Sequence, residues 1–94
     1  IEGLASDFLL DNENNMLYIL NIVDKSLYIV DATLRQIIKK VYIGGYPESL
    51  SYGNSNIYVT NSKKQQITVV EKNEYNITSS IDLQFVPNLI KVIH

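Results

Sequence analysis

The chain has 94 residues, a hydrophobic fraction of 46% and a charged fraction of 19%, which is the composition of one small globular domain and not of a disordered segment. The net charge of −2 argues against a nucleic-acid interface, which needs a clustered basic surface. The absence of cysteine excludes a disulfide, a thiolate zinc site and a cysteine nucleophile, and no apolar run reaches the ~18 residues of a membrane span.

Short apolar runs rich in isoleucine, valine and tyrosine alternate with turn-forming residues along the chain. Such residues suit pleated, packed strands, and turn formers spaced by about 8–12 residues predict short β-strands. No window shows a capped i, i+3, i+4, i+7 apolar stripe, so no helix is predicted. The runs of the first half are LYILN (17–21), LYIVD (27–31), QIIKKVYIGG (36–45) and YPESLSYGNS (46–55).

The second half of the chain repeats the first, without a gap, after a shift of forty residues. The run at 17–21 falls on IYVTN (57–61), and the run at 27–31 falls on ITVVE (67–71). Four short strands in ~40 residues are typical of one β-propeller blade, whereas ankyrin, TPR and HEAT repeats of similar length are helical. Further matched pairs are Asn14 with Asn54, Ile37 with Ile77, Val41 with Ile81, Ile43 with Leu83, Pro47 with Pro87 and Leu50 with Ile90.

This repeat predicts an all-β fold of two four-stranded antiparallel propeller blades plus one extra strand. Blade 1 is expected at about 6–43, blade 2 at about 46–83, and the first strand of a further blade at about 88–93. Because propellers typically close with about 4–8 blades, the chain is expected to be a fragment of a closed propeller or to assemble into one. The extra strand favours the fragment, since it would compete with the first strand of a second copy.

The polar interruptions also order the strands within a blade. Inner and middle strands are covered on both faces and should be continuously apolar, as 17–21 and 57–61 are. The stretches that contain Lys39-Lys40 and Thr78-Ser79-Ser80 are interrupted, which is typical of a half-solvated outermost strand. The expected order from the innermost strand to the rim is therefore the stretch after the proline (48–52, 88–93), the Tyr-x-x-Asn strand, the strand at 27–31 or 66–71, and the mixed stretch.

Several of these residues resemble a known repeat family. NIYVTN (56–61), QQITVVE (65–71), an outer strand, and then Pro87 before NLIKV are similar to the YVTN-type β-propeller repeat. The resemblance covers nearly the whole chain and implies ~40-residue blades of surface-layer and secreted proteins. The first copy departs from the motif at Leu20, where threonine is expected, and at Asp7, where a blade-entry proline is expected.

Asn21 and Asn61 stand at matching strand ends. As functional residues they would be ligands of a metal or substrate; as structural residues they would bond nearby backbone groups, tolerate left-handed conformation and close a turn. The structural interpretation is favoured, because a feature repeated in every blade belongs to the blade and not to one site. Tyr18 and Tyr58 are expected to pack between blades, with hydroxyls that reach the rim or a backbone partner.

Three further features are interpreted as structural, with a functional alternative for two of them. DNENN (11–15) resembles the start of a calcium loop, but Met16 and Ile22 stand where that loop needs glycine and glutamate, so a turn is favoured. NIT (76–78) fits the N-glycosylation sequon, which is a common tripeptide. Solvated charges of the rim and loops are expected at Lys39, Lys40, Lys63 and Lys64.

No catalytic, cofactor-binding or metal-binding residue is predicted. The only histidine, His94, is the last residue, so no Ser-His-Asp or multi-histidine arrangement can be drawn within the chain. Asp7 and Glu48 are expected at matched positions beside the channel, where a carboxylate pair is possible but not favoured as a catalytic arrangement. No phosphate-binding glycine loop occurs, so neither enzyme activity nor a cofactor is predicted.

The expected function is a non-catalytic propeller segment that acts as a structural scaffold or protein-binding module, extracellular or at the cell surface as the family resemblance implies. Its partners would be further propeller blades, from the parent chain or other copies, and a possible protein ligand, with no nucleic acid and no membrane span. The alternative is an enzyme propeller, lactonase- or dehydrogenase-like, whose catalytic residues lie on blades absent from this chain. A third possibility, a self-assembling surface-array subunit, predicts a large homo-oligomer.

Overall fold

A computed structural model describes residues 5–83, and all of the regular structure in this part of the chain is β-strand, as predicted. It contains no helix long and apolar enough to cross a membrane. The extra strand predicted at 88–93 lies outside the described residues. The strands are β1 (Ala5–Asp11), β2 (Met16–Asn21), β3 (Ser26–Asp31), β4 (Gln36–Tyr42), β5 (Pro47–Tyr52), β6 (Asn56–Asn61), β7 (Gln66–Glu71) and β8 (Ile77–Asp82).

The strands form two antiparallel sheets of four, each in chain order. We call β1-β2-β3-β4 the first sheet and β5-β6-β7-β8 the second sheet. Between the sheets, β5 packs against β1 and β2. At the opposite edges β4 and β8 are the most exposed strands, because they are edge strands that lie away from the contact between β1 and β5. The predicted order of strands within a sheet is therefore confirmed.

Five turns of residues 5–83 share one design. A polar residue ends the strand and accepts hydrogen bonds from backbone N–H groups two or three residues later, which closes the turn. The residue four positions after it takes left-handed backbone, with φ between 52° and 59°. The strand-end residues are Asp11, Asn21, Asp31, Asn61 and Glu71, and the left-handed residues are Asn15, Lys25, Arg35, Gln65 and Tyr75.

The structural interpretation of Asn21 and Asn61 is thus confirmed, with one correction. Neither asparagine adopts the left-handed conformation itself; Lys25 and Gln65 do. The side chains of both asparagines instead act as acceptors within the turn, to Val23 N–H in one case and Lys64 N–H in the other.

The forty-residue repeat holds for the second, third and fourth strands of each sheet but not for the first. Ala5 stands opposite Asn21, and Pro47 stands opposite Asn61, so β1 and β5 correspond after a shift of 42 residues. The residue in the place of Pro47 is therefore Ala5, and the expectation that Asp7 occupies it is wrong.

The difference arises in the turn after the first strand. Four residues separate Asp11 from its partner Met16, whereas two separate Gly53 from Asn56, whose carbonyl accepts the Gly53 N–H at 2.9 Å. Because the first turn is two residues longer, the gapless match of the two halves ends at this turn, and the match of Asn14 with Asn54 stays a prediction.

The hydrophobic core lies between the two sheets. Side chains alternate between the faces of a strand, and Tyr18 and Leu20 of β2 belong to the same buried cluster as Ile57 and Val59 of β6. The first sheet presents the face that carries Tyr18 of β2. The second sheet presents the face opposite to the equivalent residue, Tyr58 of β6, so the two sheets stack in the same orientation, as successive copies of one unit. Each large apolar side chain that is fully buried contributes roughly 1.5–3 kcal/mol; these are Tyr18, Leu20, Leu27, Ile29, Leu50, Ile57, Val59 and Val70.

Asn61 also fixes the segment that joins the sheets. Its Nδ2 donates to the Gly44 carbonyl at 2.7 Å, and its Oδ1 accepts the Tyr46 N–H at 3.0 Å. Gly45 has a φ of +66°, and a Cβ on it would lie 2.4 Å from Asn61 Oδ1. Only glycine fits this position without a shift of the Asn61 side chain.

Gly45→Ala is expected to lower the free energy of unfolding by about 2 kcal/mol, because left-handed backbone costs roughly 1–2 kcal/mol for a residue with a Cβ and the new methyl group overlaps Asn61. Urea unfolding followed by circular dichroism measures the change. Lys63→Ala, an exposed side chain in the next turn, is the matched control and should stay within ~0.5 kcal/mol of the parent. Equal stability of Gly45→Ala and the parent would contradict the assigned role of Asn61.

Candidate functional site

An aromatic cluster lies between the sheets at one end of the strands. The Tyr18 ring is fully buried and meets the edge of Tyr52 at 5.8 Å between ring centroids and 74° between planes. Tyr75 lies tilted against it at 6.5 Å. Since Tyr52 and Tyr75 belong to the second half of the chain, the predicted blade-to-blade packing of Tyr18 is confirmed. Its repeat partner Tyr58 is half-buried and, by alternation along β6, points away from the first sheet.

The Tyr18 hydroxyl bonds a buried carboxylate and not the rim or backbone partner that was expected. It donates to Asp11 Oδ2 at 2.6 Å. Asp11 is 1% exposed and also accepts hydrogen bonds from Lys72 Nζ at 2.8 Å and from Asn14. Burial by itself raises the pKa of the Asp11 carboxyl, but its hydrogen-bond donors, the Lys72 ammonium above all, outweigh burial and hold that pKa well below its usual range.

Lys72 is the residue of this cluster that the sequence analysis did not single out. It leaves the turn after β7, crosses to the first sheet and passes 4.4 Å above the Tyr52 ring, with 10% of its side chain exposed. The differences in charge between the two copies could have indicated the Asp11–Lys72 pair. Asp11 corresponds by register to Gly53, and Lys72 corresponds to Ala32, so the acid and the base are both missing from the equivalent positions.

The cluster holds its charges in fixed states. Burial raises the pKa of Tyr18, and the adjacent Asp11 carboxylate raises it further. Burial is also the main reason that the pKa values of Tyr52 and Tyr75 are raised. The carboxyl therefore stays ionised and the phenols stay protonated around neutral pH, so none of these four groups is poised to exchange a proton there. The arrangement joins the two sheets.

Hydrogen bonds also join the inner edges of the two sheets. Asp7 Oδ2 accepts the Leu50 N–H at 2.8 Å, and Ser6 Oγ donates to the Pro47 carbonyl at 3.1 Å. Each bond runs from a side chain of β1 to the backbone of β5. Asp7 thus pairs an edge-strand donor of the second sheet that its own ladder leaves free.

The expected match of Asp7 with Glu48 is wrong. By register Asp7 corresponds to Ser49, and Glu48 corresponds to Ser6. Ser6 and Glu48 are the residues at the β-bulges of their strands. The physical reason is the shift of 42 residues between β1 and β5, which moves the two carboxylates out of equivalent places. The structure assigns Asp7 to the joint between the sheets.

Two of the four lysines predicted as solvated charges of the rim and loops also bind backbone carbonyls. Lys39 Nζ donates to the Glu74 carbonyl at 2.9 Å and to Asn76 Oδ1 at 2.6 Å, which connects the outer strand of the first sheet to the turn before β8. Lys64 Nζ donates to the Ile43 carbonyl at 2.9 Å. Both ammonium groups therefore link the two sheets or their connecting segment.

The other two lysines lie at the surface, as expected. Lys40 is exposed and pairs with Asp24 at 3.4 Å, with its ammonium 5.6 Å from the Tyr28 ring centroid. An exposed pair of this kind contributes little to stability. Lys63 is exposed in the turn after β6.

The calcium-loop candidate is a turn in the structure. Residues 12–15 form the turn between β1 and β2, as predicted, and the Asp11 carboxylate that would begin a calcium loop is bonded to Lys72. Within residues 5–83, no group of three or more acidic or histidine side chains is arranged to hold a metal ion. Asn76 of the sequon is exposed, and its glycosylation stays a prediction. His94 lies outside the described residues.

No protein-family model matches the chain, and no curated protein matches it. Solved structures of β-propeller proteins do resemble it. AztD of Citrobacter koseri aligns with a TM-score of 0.86 and 20% identity over 97% of this chain and 27% of AztD. Hydrazine synthase of Kuenenia stuttgartiensis aligns with a TM-score of 0.86 and 21% identity over 94% of this chain and 26% of the synthase chain. Hsv2 of Kluyveromyces lactis aligns with a TM-score of 0.66 and 21% identity over 80% of this chain and 23% of Hsv2.

These similarities establish the fold. The chain consists of propeller blades and spans about a quarter of the length of the solved structures that it matches. At such identities the likeness carries no information on ligands or activity.

Removing one partner of the Asp11–Lys72 pair is expected to lower the free energy of unfolding by about 3–5 kcal/mol, because the other charge is left buried and unpaired. Asp11→Asn and Lys72→Met are the single variants. The double variant leaves no buried charge, so it should be more stable than either single variant. Urea unfolding of the four proteins gives the coupling energy. Additive effects of the two substitutions would contradict the assigned contact.

The same pair predicts a response to acid. Since the folded state lowers the pKa of Asp11 below the unfolded value of ~3.9, the ionised carboxylate stabilises the fold above about pH 4. That contribution is lost as the pH falls from there toward the lower, folded value. In Lys72→Met the carboxylate lacks its main cationic partner, so the loss of stability over the same range should be smaller than in the unsubstituted protein. Urea unfolding between about pH 2 and 7 measures both curves, and parallel curves would contradict the prediction.

Proposed function

We propose that the chain is a non-catalytic pair of blades in a larger β-propeller, and that this propeller serves as a structural scaffold or protein-binding module. The observation that carries the proposal is the use of the acidic and basic side chains between the sheets. Asp11 and Lys72 bond each other across the sheets, and Asp7 bonds the Leu50 backbone. Charged groups engaged in this way hold the blades together and are not offered to a substrate.

The exposed apolar side chains support the need for further blades. Large apolar residues at the surface mark an interface when they form a continuous patch, and a sheet one layer thick has no other way to cover its second face. The exposed set includes Phe8, Leu10, Ile37, Ile38 and Tyr42. The partners proposed for these surfaces are further propeller blades, from the parent chain or from other copies.

The recognition surface for a protein ligand is proposed at the turns. Turns on a rigid β scaffold are the usual place for binding residues. In a meander, alternate turns lie at the same end of the sheet, so the turns at 12–15 and 32–35 share an end, next to those at 53–55 and 72–76 of the second sheet. The exposed residues there are mostly asparagine, glutamate and threonine, which suits a polar protein partner.

The YVTN-type resemblance supports an extracellular or cell-surface location. The motif Tyr58-Val59-Thr60-Asn61 has defined roles here, since Thr60 Oγ1 lies 2.7 Å from Ser49 Oγ and Asn61 fixes the connecting segment. These roles are architectural, so the location follows from the family resemblance alone.

The alternative is an enzyme propeller whose catalytic residues lie on blades outside this chain. One of the similar solved structures is a hydrazine synthase by name. In that case the catalytic groups would stand at loop positions of other blades, since the buried charges of this pair are occupied.

The sequence that flanks these residues in the parent gene separates the two functions. The scaffold predicts further repeats with Tyr-x-x-Asn strands and no cluster of histidine, carboxylate or cysteine residues at matching loop positions; such a cluster would overturn it. The location is tested by labelling intact source cells with a membrane-impermeant amine reagent, which should reach the exposed Lys63. Labelling only after lysis would overturn the surface assignment.

A further inference from the structure

The face of the first sheet that points away from the second is apolar and accessible. Phe8 and Leu10 on β1 are 65% and 50% exposed. They pair with Ile19 and Leu17 of β2, so these four side chains share one face, and alternation puts Tyr18 on the other.

The second sheet uses the same four positions to cover Tyr18. By register Phe8 and Leu10 correspond to Leu50 and Tyr52, and their partners correspond to Val59 and Ile57. Leu50, Ile57 and Val59 are fully buried in the core with Tyr18, and Tyr52 packs against it. The exposed face of the first sheet therefore carries the same apolar pattern as the face of the second sheet that packs against Tyr18.

A matching tyrosine-bearing face exists on the second sheet. Tyr58 holds the position of Tyr18, and it points away from the first sheet. The acid and base of the existing interface have neutral counterparts on the two outward faces, Gly53 in place of Asp11 and Ala32 in place of Lys72. A contact between these two faces would contain neither the acid nor the base of the existing interface, so neither would be buried without its partner.

We propose that the face formed by Phe8, Leu10, Leu17 and Ile19 binds a second copy of this chain, head to tail, through the face of its second sheet that carries Tyr58. This inference rests on the proposed role of the chain as propeller blades and names the partner. It requires β1 of the second copy to take the place against the second sheet that is predicted for the stretch at 88–93. The contact is heterologous, because different surfaces of the two copies meet, so it can be repeated to close a ring.

Arg35 adds a specific contact to this interface. It holds the position of Tyr75, the residue that lies against Tyr18 in the existing interface. In the new one, its guanidinium would lie over Tyr58 of the other copy, as a cation above an aromatic ring. The existing interface has its own cation of this kind, Lys72 above Tyr52.

The test is the native mass of the full chain, measured by size-exclusion chromatography with light scattering over a range of concentrations. The unsubstituted 94-residue chain should associate. Ala32→Lys and Gly53→Asp should each weaken association on the order of 100-fold, since each buries an unpaired charge at the new contact. An equimolar mixture of the two variants should associate again, because the lysine of one then meets the aspartate of the other.

Circular dichroism of each protein separates the possible failures, and Lys63→Asp, an exposed turn position, is the charge control. If the unsubstituted chain is folded but stays monomeric, docking of a second copy is overturned and the proposed function is left intact. If the unsubstituted chain associates but the mixture of the two variants does not, the assigned faces are overturned. A chain without β-structure also overturns docking of a second copy, because two copies then do not complete each other's blades, and it leaves the proposed function to the sequence of the longer parent.

Discussion

A β-sheet one layer thick has two faces and no interior, so neither sheet of this protein can exclude water from its apolar side chains alone. Stacking of the sheets is the constraint on which the rest of the structure depends. It buries Tyr18 at the centre of the contact and removes the Asp11 carboxylate from water. That carboxylate then needs a cation, which Lys72 supplies from the other sheet. Such a pair adds little net stability compared with apolar side chains, but it makes a mismatched partner face costly.

Polar contacts join the sheets at three places. Asp7 reaches the backbone of β5, Asp11 at the end of β1 meets Lys72 in the turn after β7, and Lys39 on the outer strand reaches the turn before β8. Each contact engages an acidic or basic side chain, so these side chains serve to position the two sheets. These contacts and the short segment around Gly45 define how the two sheets are oriented relative to each other.

Local chemistry made the strands, the turns and the role of Asn21 and Asn61 predictable from the sequence, since each depends on residues within a few positions. The joint was not predictable, because Lys72 and Asp11 lie 61 residues apart and no short pattern marks their contact. The register of β1 was also missed. Apolar runs align at several shifts, and the longer turn before Met16 displaced the first strand by two residues. Where the copies differ in charge, the comparison of repeats did hold the signal.

The central claim is that the two sheets form one cooperative unit through these contacts. Native-state amide hydrogen exchange tests it most directly, by comparing Ile19 in β2 with Val59 in β6 over a series of low urea concentrations. The account predicts that both amides open with the same free energy and the same urea dependence, because neither sheet survives without the other. Separate opening, with one strand protected while the other exchanges, would contradict it.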